Sequence, residues 1–331
     1  FIFVNRQNTK DYEFVNYDDI FNRVAGIEYD LITEKNKWNG RAYFYKSFEN
    51  VEKDDNTSAG FTIDRTTRNH NLRINYHYLG DDFRSDLGFM RRKGVSKLKP
   101  HYQYTIYPKH SNLNSISFRY QYVFYYKHSD QVENIHFNTS HLNSTFRLIN
   151  QSEFSLRYQN RTEYIPYDFD PTGVDPLNEI KGEKNYYSEY FEAQYSSNPS
   201  KDFIYELSCE TGKFYGGRIF SIRKNLYYRI QPKLVSSIRL NYDKIKLGSN
   251  YPTTNIFLAR SKFDFTFSKT LYWATVFQYG SQSDNFGINS RIQWRFKGLS
   301  NLYLIYNDNY LVQNELIPRR RGVNLKLVHW F

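Results

Sequence analysis

The residues with chemistry to offer are spaced two apart. Arg73, Arg119, Arg147, Arg157, Arg161, Arg223, Arg229, Arg239, Arg291 and Arg295 stand among runs of Phe, Tyr, Ile and Leu, all on the polar side of the alternation. Lys262 and Asp264 follow the same spacing, and Glu28, Asp30, Glu153, Glu206, Glu210 and Asp243 fall on the same polar side. Guanidinium groups so placed can draw an anion through a pore. They can equally pair with carboxylates and brace a wall. Acids and bases are interleaved here, which favours the brace.

Two loops carry further candidates. The stretch 81–93 holds Asp81, Asp82, Arg84, Asp86, Arg91, Arg92 and the only methionine, Met90. Such a loop can constrict a lumen or meet a partner. The plainer reading is a loop packed by its own ion pairs and by Phe83 and Phe89. The longest loop, 164–184, offers Asp168, Asp170, Asp175, Glu179 and Glu183. Carboxylates in a loop can hold calcium, but these match no EF-hand spacing. A solvated loop or a partner site is the better reading, and stacking of a sugar on Tyr164, Tyr167 and Phe169 is the bolder one.

Catalysis finds little support. His141 and Ser144 lie three apart, so on a strand their side chains point to opposite faces and cannot form a dyad. The eight His show no H-E-x-x-H spacing, and no glycine-rich phosphate loop occurs. Cys209 is the only cysteine, which excludes intrachain disulfides and a cysteine-built metal site. The expectation is a non-enzyme with no cofactor and no metal.

What must position these side chains is strand. Ile116, Phe118, Tyr120, Tyr122, Phe124 and Tyr126 alternate with Ser115, Ser117, Arg119 and Gln121. The same period of two marks 257–268 and 286–296, and also 70–79, 97–108, 152–163, 202–213, 218–230 and 233–246. Alternation alone would fit a soluble sandwich. These segments, however, run to ten or more residues, where a globular strand has about 5–6 and a membrane-crossing strand about 9–11. Connections also alternate between short, such as 33–36, 68–71 and 149–151, and long, such as 7–19, 80–96 and 165–184. That pattern predicts an all-β, antiparallel, up-and-down transmembrane barrel of about eighteen strands, whose first, 1–6, is expected to be cut at its start. Segment 81–93 reads as a loop folded into the mouth, because counting it as a strand would flip the short–long alternation. The terminal Phe331, in step with Val323, Leu325 and Leu327, is similar to the signal read by the bacterial barrel-insertion machinery, with His329 as a departure. Tyr43, Tyr45, Tyr102, Tyr104, Tyr122, Tyr126, Tyr242, Trp38, Trp273, Trp294 and Trp330 are expected to include the interfacial girdles.

The net charge is +11. Its Lys and Arg alternate along strands instead of clustering, which argues against nucleic acid and for a charged lumen. Expected partners are the lipid bilayer with its lipopolysaccharide, the insertion machinery, and other outer-membrane proteins or lipoproteins.

Three stretches resemble a known family: 22–31 with Lys37-Trp-Asn-Gly40, then 80–92, then Tyr306-Asn-Asp308. They are similar to the C-terminal barrel region of a Bacteroidota outer-membrane family, domain of unknown function 5916. In that family the barrel follows a module similar to family 9 carbohydrate-binding domains. The resemblance implies location and architecture, with further barrel strands expected upstream of residue 1, and it carries no catalytic residue and no known substrate. Two functions are therefore expected: a transport or channel component for a polar or glycan-derived solute, or a structural anchor with a plugged lumen in a larger outer-membrane complex.

Overall fold

The structure is a computed structural model, and it describes residues 1–9, 16–33, 35–88, 90, 92–128, 135–174 and 176–330. Eighteen strands follow one another: β1 (Ile2–Gln7), β2 (Phe21–Ile32), β3 (Trp38–Glu49), β4 (Thr57–Thr66), β5 (His70–Leu79), β6 (Val95–Ile106), β7 (Leu113–Lys127), β8 (Ile135–Leu148) and β9 (Glu153–Ile165). Then come β10 (Lys184–Ser196), β11 (Phe203–Phe214), β12 (Gly217–Ile230), β13 (Leu234–Lys246), β14 (Thr253–Thr266), β15 (Leu271–Gly280), β16 (Asn285–Lys297), β17 (Ser300–Val312) and β18 (Leu316–Val328). Aromatic and β-branched residues at every second position suit a pleated surface, and no segment offers the helical period.

Each strand pairs antiparallel with its neighbours in sequence, from β1·β2 to β17·β18, in one up-and-down sheet. Among the described residues, no register joins β18 to β1. The wall is barrel-like. Strands of 10–15 residues, β1 apart, at about 3.3 Å per residue reach some 33–50 Å, enough to cross a hydrocarbon core of about 30 Å.

Directly paired residues share a face, so the registers carry each face across the wall. On one side lie Phe44, Phe118, Tyr120, Leu142, Phe191, Leu207, Phe220, Ile238, Phe257, Ile292, Trp294, Leu304 and Leu325, all exposed. On the other side lie Ser47, Ser208, Ser221 and Thr139, which are buried. We call the polar side the inner face, because both long loops fold onto it. Tyr43 and Tyr45 are a correction to the girdle expectation. They pair with Gly60 and Ser58, on the inner face, and Tyr43 meets His77 there at 2.8 Å.

The rims differ. Connections at one rim run only from Gly298–Leu299 to residues 107–112. The other rim carries 80–94 and 166–183, but not every connection there is long. β11 and β12 join through Tyr215 and Gly216 alone, with φ of 45° and 84°. Two successive left-handed residues make the turn whose twist matches that of a hairpin, and glycine takes its position without cost.

Candidate functional site

Following the cross-strand partners along the inner face yields the charged surface. Arg73 pairs with Asp64 and faces His101. Arg119 donates to Gln103 at 3.0 Å. Arg147 meets Glu153 at 2.7 Å. Arg157 lies 2.9 Å from Glu192, which also faces Arg223 at 3.9 Å, while Arg223 reaches Glu210 at 3.4 Å. Glu192 is thus the hinge of a four-residue belt across β9 to β12. Lys262 and Asp264, two apart on β14, pair at 2.6 Å.

Beyond this belt the wall turns cationic. Arg239 is in register with Arg260. It donates to Asn225 at 3.2 Å. Arg291 stands opposite Ala274 on β15, and Arg295 lies over the Tyr272 ring. Among the described residues, no carboxylate pairs with Arg239, Arg260, Arg291 or Arg295.

The first loop, 80–94, is pinned at its centre by Arg84. That side chain contacts Asp19 at 2.5 Å, Asp86 at 2.6 Å and Glu49 at 3.5 Å. Arg6 pairs with Asp86 as well. Neutral bonds complete the seat: Asn22 donates to the Arg84 carbonyl, and the Asp86 amide donates to Asn22 Oδ1. Burial alone would raise the Asp86 pKa, but the hydrogen bonds from Arg6 and Arg84 outweigh it and hold the carboxyl below its usual range. Asp82 accepts from the Asp55 amide at 3.4 Å. Phe83 is buried. Arg91 and Phe89 lie outside the described residues. Arg92 sits over the rings of Tyr125 and Phe137, at 4.9 and 5.3 Å. Beneath it opens a cavity of about 500 Å³ lined by Tyr43, His77, Lys97, Arg161 and Glu163 among others.

The second loop, 166–183, lies on the inner face against β12 to β14. Ile180 closes an apolar cluster with Ile219, Ile245 and Leu247, against which Phe169 and Tyr215 pack. Phe169 and Ile180 exchange backbone hydrogen bonds of 3.2 and 2.9 Å. Asn178 donates to Thr254 on β14 at 2.9 Å. Gln282, after β15, donates to the Thr172 carbonyl at 2.7 Å. Burial pushes the Tyr215 phenol up to about 12, with the nearby Glu163 adding to the rise.

The acids in this loop hold its own turns. Asp168 accepts from the Gly182 amide and from Lys181, which together lower its pKa. Asp170 accepts from Thr172 and Val174. Asp175 lies outside the described residues, as does Phe331. His141 faces inward in register with Gln159, and Ser144 faces the other way beside Leu142 and Phe146, so no dyad forms.

An eighteen-stranded antiparallel wall with this apolar outer face has the architecture of outer-membrane barrels. The domain of unknown function 5916 matches residues 3–267. The chain belongs to that family. Within this 5916-family chain the match covers β1 to β14, both mouth loops and the Glu192 belt, and the Tyr306–Asp308 stretch lies beyond it. No curated protein matches the sequence. Among solved structures, the ferric enterobactin receptor of Pseudomonas aeruginosa, in complex with enterobactin, is 6% identical with a TM-score of 0.43. That likeness covers 88% of this chain and 66% of the receptor. The siderophore receptor PirA of the same organism is 10% identical with a TM-score of 0.41, covering 87% of this chain and 67% of that one. The chain thus spans about two thirds of the length of either structure.

The alternation places the Arg residues on one face but does not reveal which of them lack a carboxylate. Glu192, at the centre of the belt, carries no sequence signal beyond its even spacing from Tyr190 and Gln194 on β10.

Proposed function

We propose that this protein is a transport-type outer-membrane barrel that passes an anionic polar solute, with its long-loop rim outside and its mouth narrowed by the two folded loops. One observation carries this reading: the inner face over β13 to β16 presents Arg239, Arg260, Arg291 and Arg295 without carboxylate partners. Cations that brace a wall are paired, as in the Glu192 belt. Cations left facing a lumen attract anions. The orientation has its own support. Lys213, Arg218 and Lys246 lie side by side on the outer face near the long-loop rim. Charge on that face is tolerated near the interfaces and suits the anionic head groups of lipopolysaccharide.

The test is conductance of the full-length protein in planar bilayers, for the wild type and for the Ile180→Ala variant that loosens the second loop. The expected result is anion-selective current, larger in the variant, with selectivity reduced by Arg291→Gln. Absence of current from both proteins refutes the pore. The anchor reading draws on the Glu192 belt, which ties four strands together. A stable complex on purification, with no current, would favour it.

A further inference from the structure

Apart from the inner-face pairs, one cluster mixes oxygen and nitrogen donors. Asp55, in the β3–β4 connection, Asp81, in the first mouth loop, and His128, just after β7, each offer one ligand atom, and these atoms lie within 4.8 Å of one another. Three chain segments converge there. The His128 ring is fixed in place: it stacks on Tyr78 at 4.5 Å and its Nε2 lies 2.9 Å from Ser96 Oγ. That leaves Nδ1 turned toward the carboxylates, 4.0 Å from Asp55 Oδ2. The Nδ1 atom is shut off from solvent and has no hydrogen-bond partner.

A separation of 4.0 Å is too long for a hydrogen bond. Two ligand atoms about 2.1 Å from a tetrahedral ion stand about 3.4 Å apart, so a small closing of the cluster brings them to a shared ion. A buried polar atom left alone calls for an explanation, and an ion is one. The carboxylates are set as well. Asp55 accepts from Tyr78 Oη at 2.7 Å and from the Asp81 amide at 2.8 Å. Gly94, with φ of +64°, makes the room: a Cβ there would stand 1.8 Å from Asp81 Oδ1.

We propose that Asp55, Asp81 and His128 bind a divalent transition ion of the zinc class, with the remaining position open to water. An imidazole with two carboxylates suits zinc and disfavours calcium or magnesium, which take oxygen alone. Ser96 acts as a positioning residue, orienting the imidazole through its far nitrogen. The bound ion ties the β3–β4 connection and the first mouth loop to the end of β7. This site stands whether or not the lumen conducts.

The experiment is calorimetric titration of the full-length, tag-free protein in detergent with zinc alone, and with calcium alone in parallel. Cys209→Ser is the parent background, so that the lone thiol does not compete. The expected result is one zinc per chain and no calcium. His128→Gln is expected to abolish stoichiometric binding, and Asp81→Asn and Ser96→Ala to weaken it at least about tenfold. Unchanged heat-dependent gel migration shows that each variant is folded. If His128→Gln fails to fold, Asp81→Asn decides, because the Asp81 side chain is exposed. Absence of stoichiometric zinc in the parent, or parental affinity in the deciding variant, overturns the proposal.

Discussion

Replacing Ile180 by alanine tests whether the second mouth loop is held by its apolar foot. Ile180 is 2% exposed and closes the cluster of Ile219, Ile245 and Leu247. Burying an isoleucine this fully and then truncating it to alanine costs about 2–5 kcal/mol. The lower end applies here, because Phe169, Tyr215 and Tyr251 border the gap and can settle into it. At about 2 kcal/mol, and one decade per 1.36 kcal/mol, the open form of the loop rises about 30-fold. The polar ties to Thr254 and Gln282 stay in place, so the change is one of population and not a loss of the loop. Hydrogen exchange reads it directly. The amides of Phe169 and Ile180 bond each other's carbonyls, and they exchange only when the loop lifts. Both are expected to exchange about 30-fold faster, while the ladder amides of β12 and β13 keep wild-type rates. Unchanged exchange at Phe169 and Ile180 would refute the reasoning. Equal acceleration in the ladders would refute it too, because the cluster would then belong to the wall and not to a loop.

Two further outcomes follow from the same geometry. Ile292 faces outward near the middle of β16 and Gln293 faces inward. Ile292→Arg is therefore expected to lower unfolding stability in liposomes by about 2–4 kcal/mol and Gln293→Arg by far less, and equal losses would contradict the assigned faces. The Asp86 carboxyl is held below its usual range in the docked loop. Its contribution is therefore fully present above the free carboxylate pKa of about 3.9 and fades as the pH falls through the lowered value. Exchange protection of residues 80–88, corrected for intrinsic rates, should match at pH 7 and 5 and decline at pH 3, whereas equal protection at pH 3 would disprove the ion-pair seat.

The strands were legible because their signal is local. Phe118, Tyr120 and Tyr122 alternating with Arg119 and Gln121 already place one face in lipid, and segment 70–79 coincides with β5. The sites were not legible, because their partners are remote in sequence. Arg84 meets Asp19 across 65 positions. Thr172 meets Gln282 across 110. Nothing in the spacing of Asp168 and Asp170 distinguishes a cation ligand from a carboxylate that holds its own turn. Asp55, Asp81 and His128 converge only because three connections lie on one rim. Tyr43 and Tyr45 misled for a related reason, since aromatic character alone does not tell which side of a strand a ring takes.

Among the described residues each strand pairs in register with the strands before and after it in the chain, and this has a consequence for assembly. The growing edge always offers a complete row of free amides and carbonyls to the segment that follows in the chain, so the wall can be laid down hairpin by hairpin in chain order. Only the seam that closes a barrel has to join strands distant in the chain. The two loops cannot seat until their supports exist: the Arg84 seat of the first is built on β2 and β3, which precede it, and its Arg92 end rests on β7 and β8, but the second needs β12 to β14, which follow it. The Arg84 seat therefore forms early in the growth of the wall, and the second loop waits until most of the wall is in place.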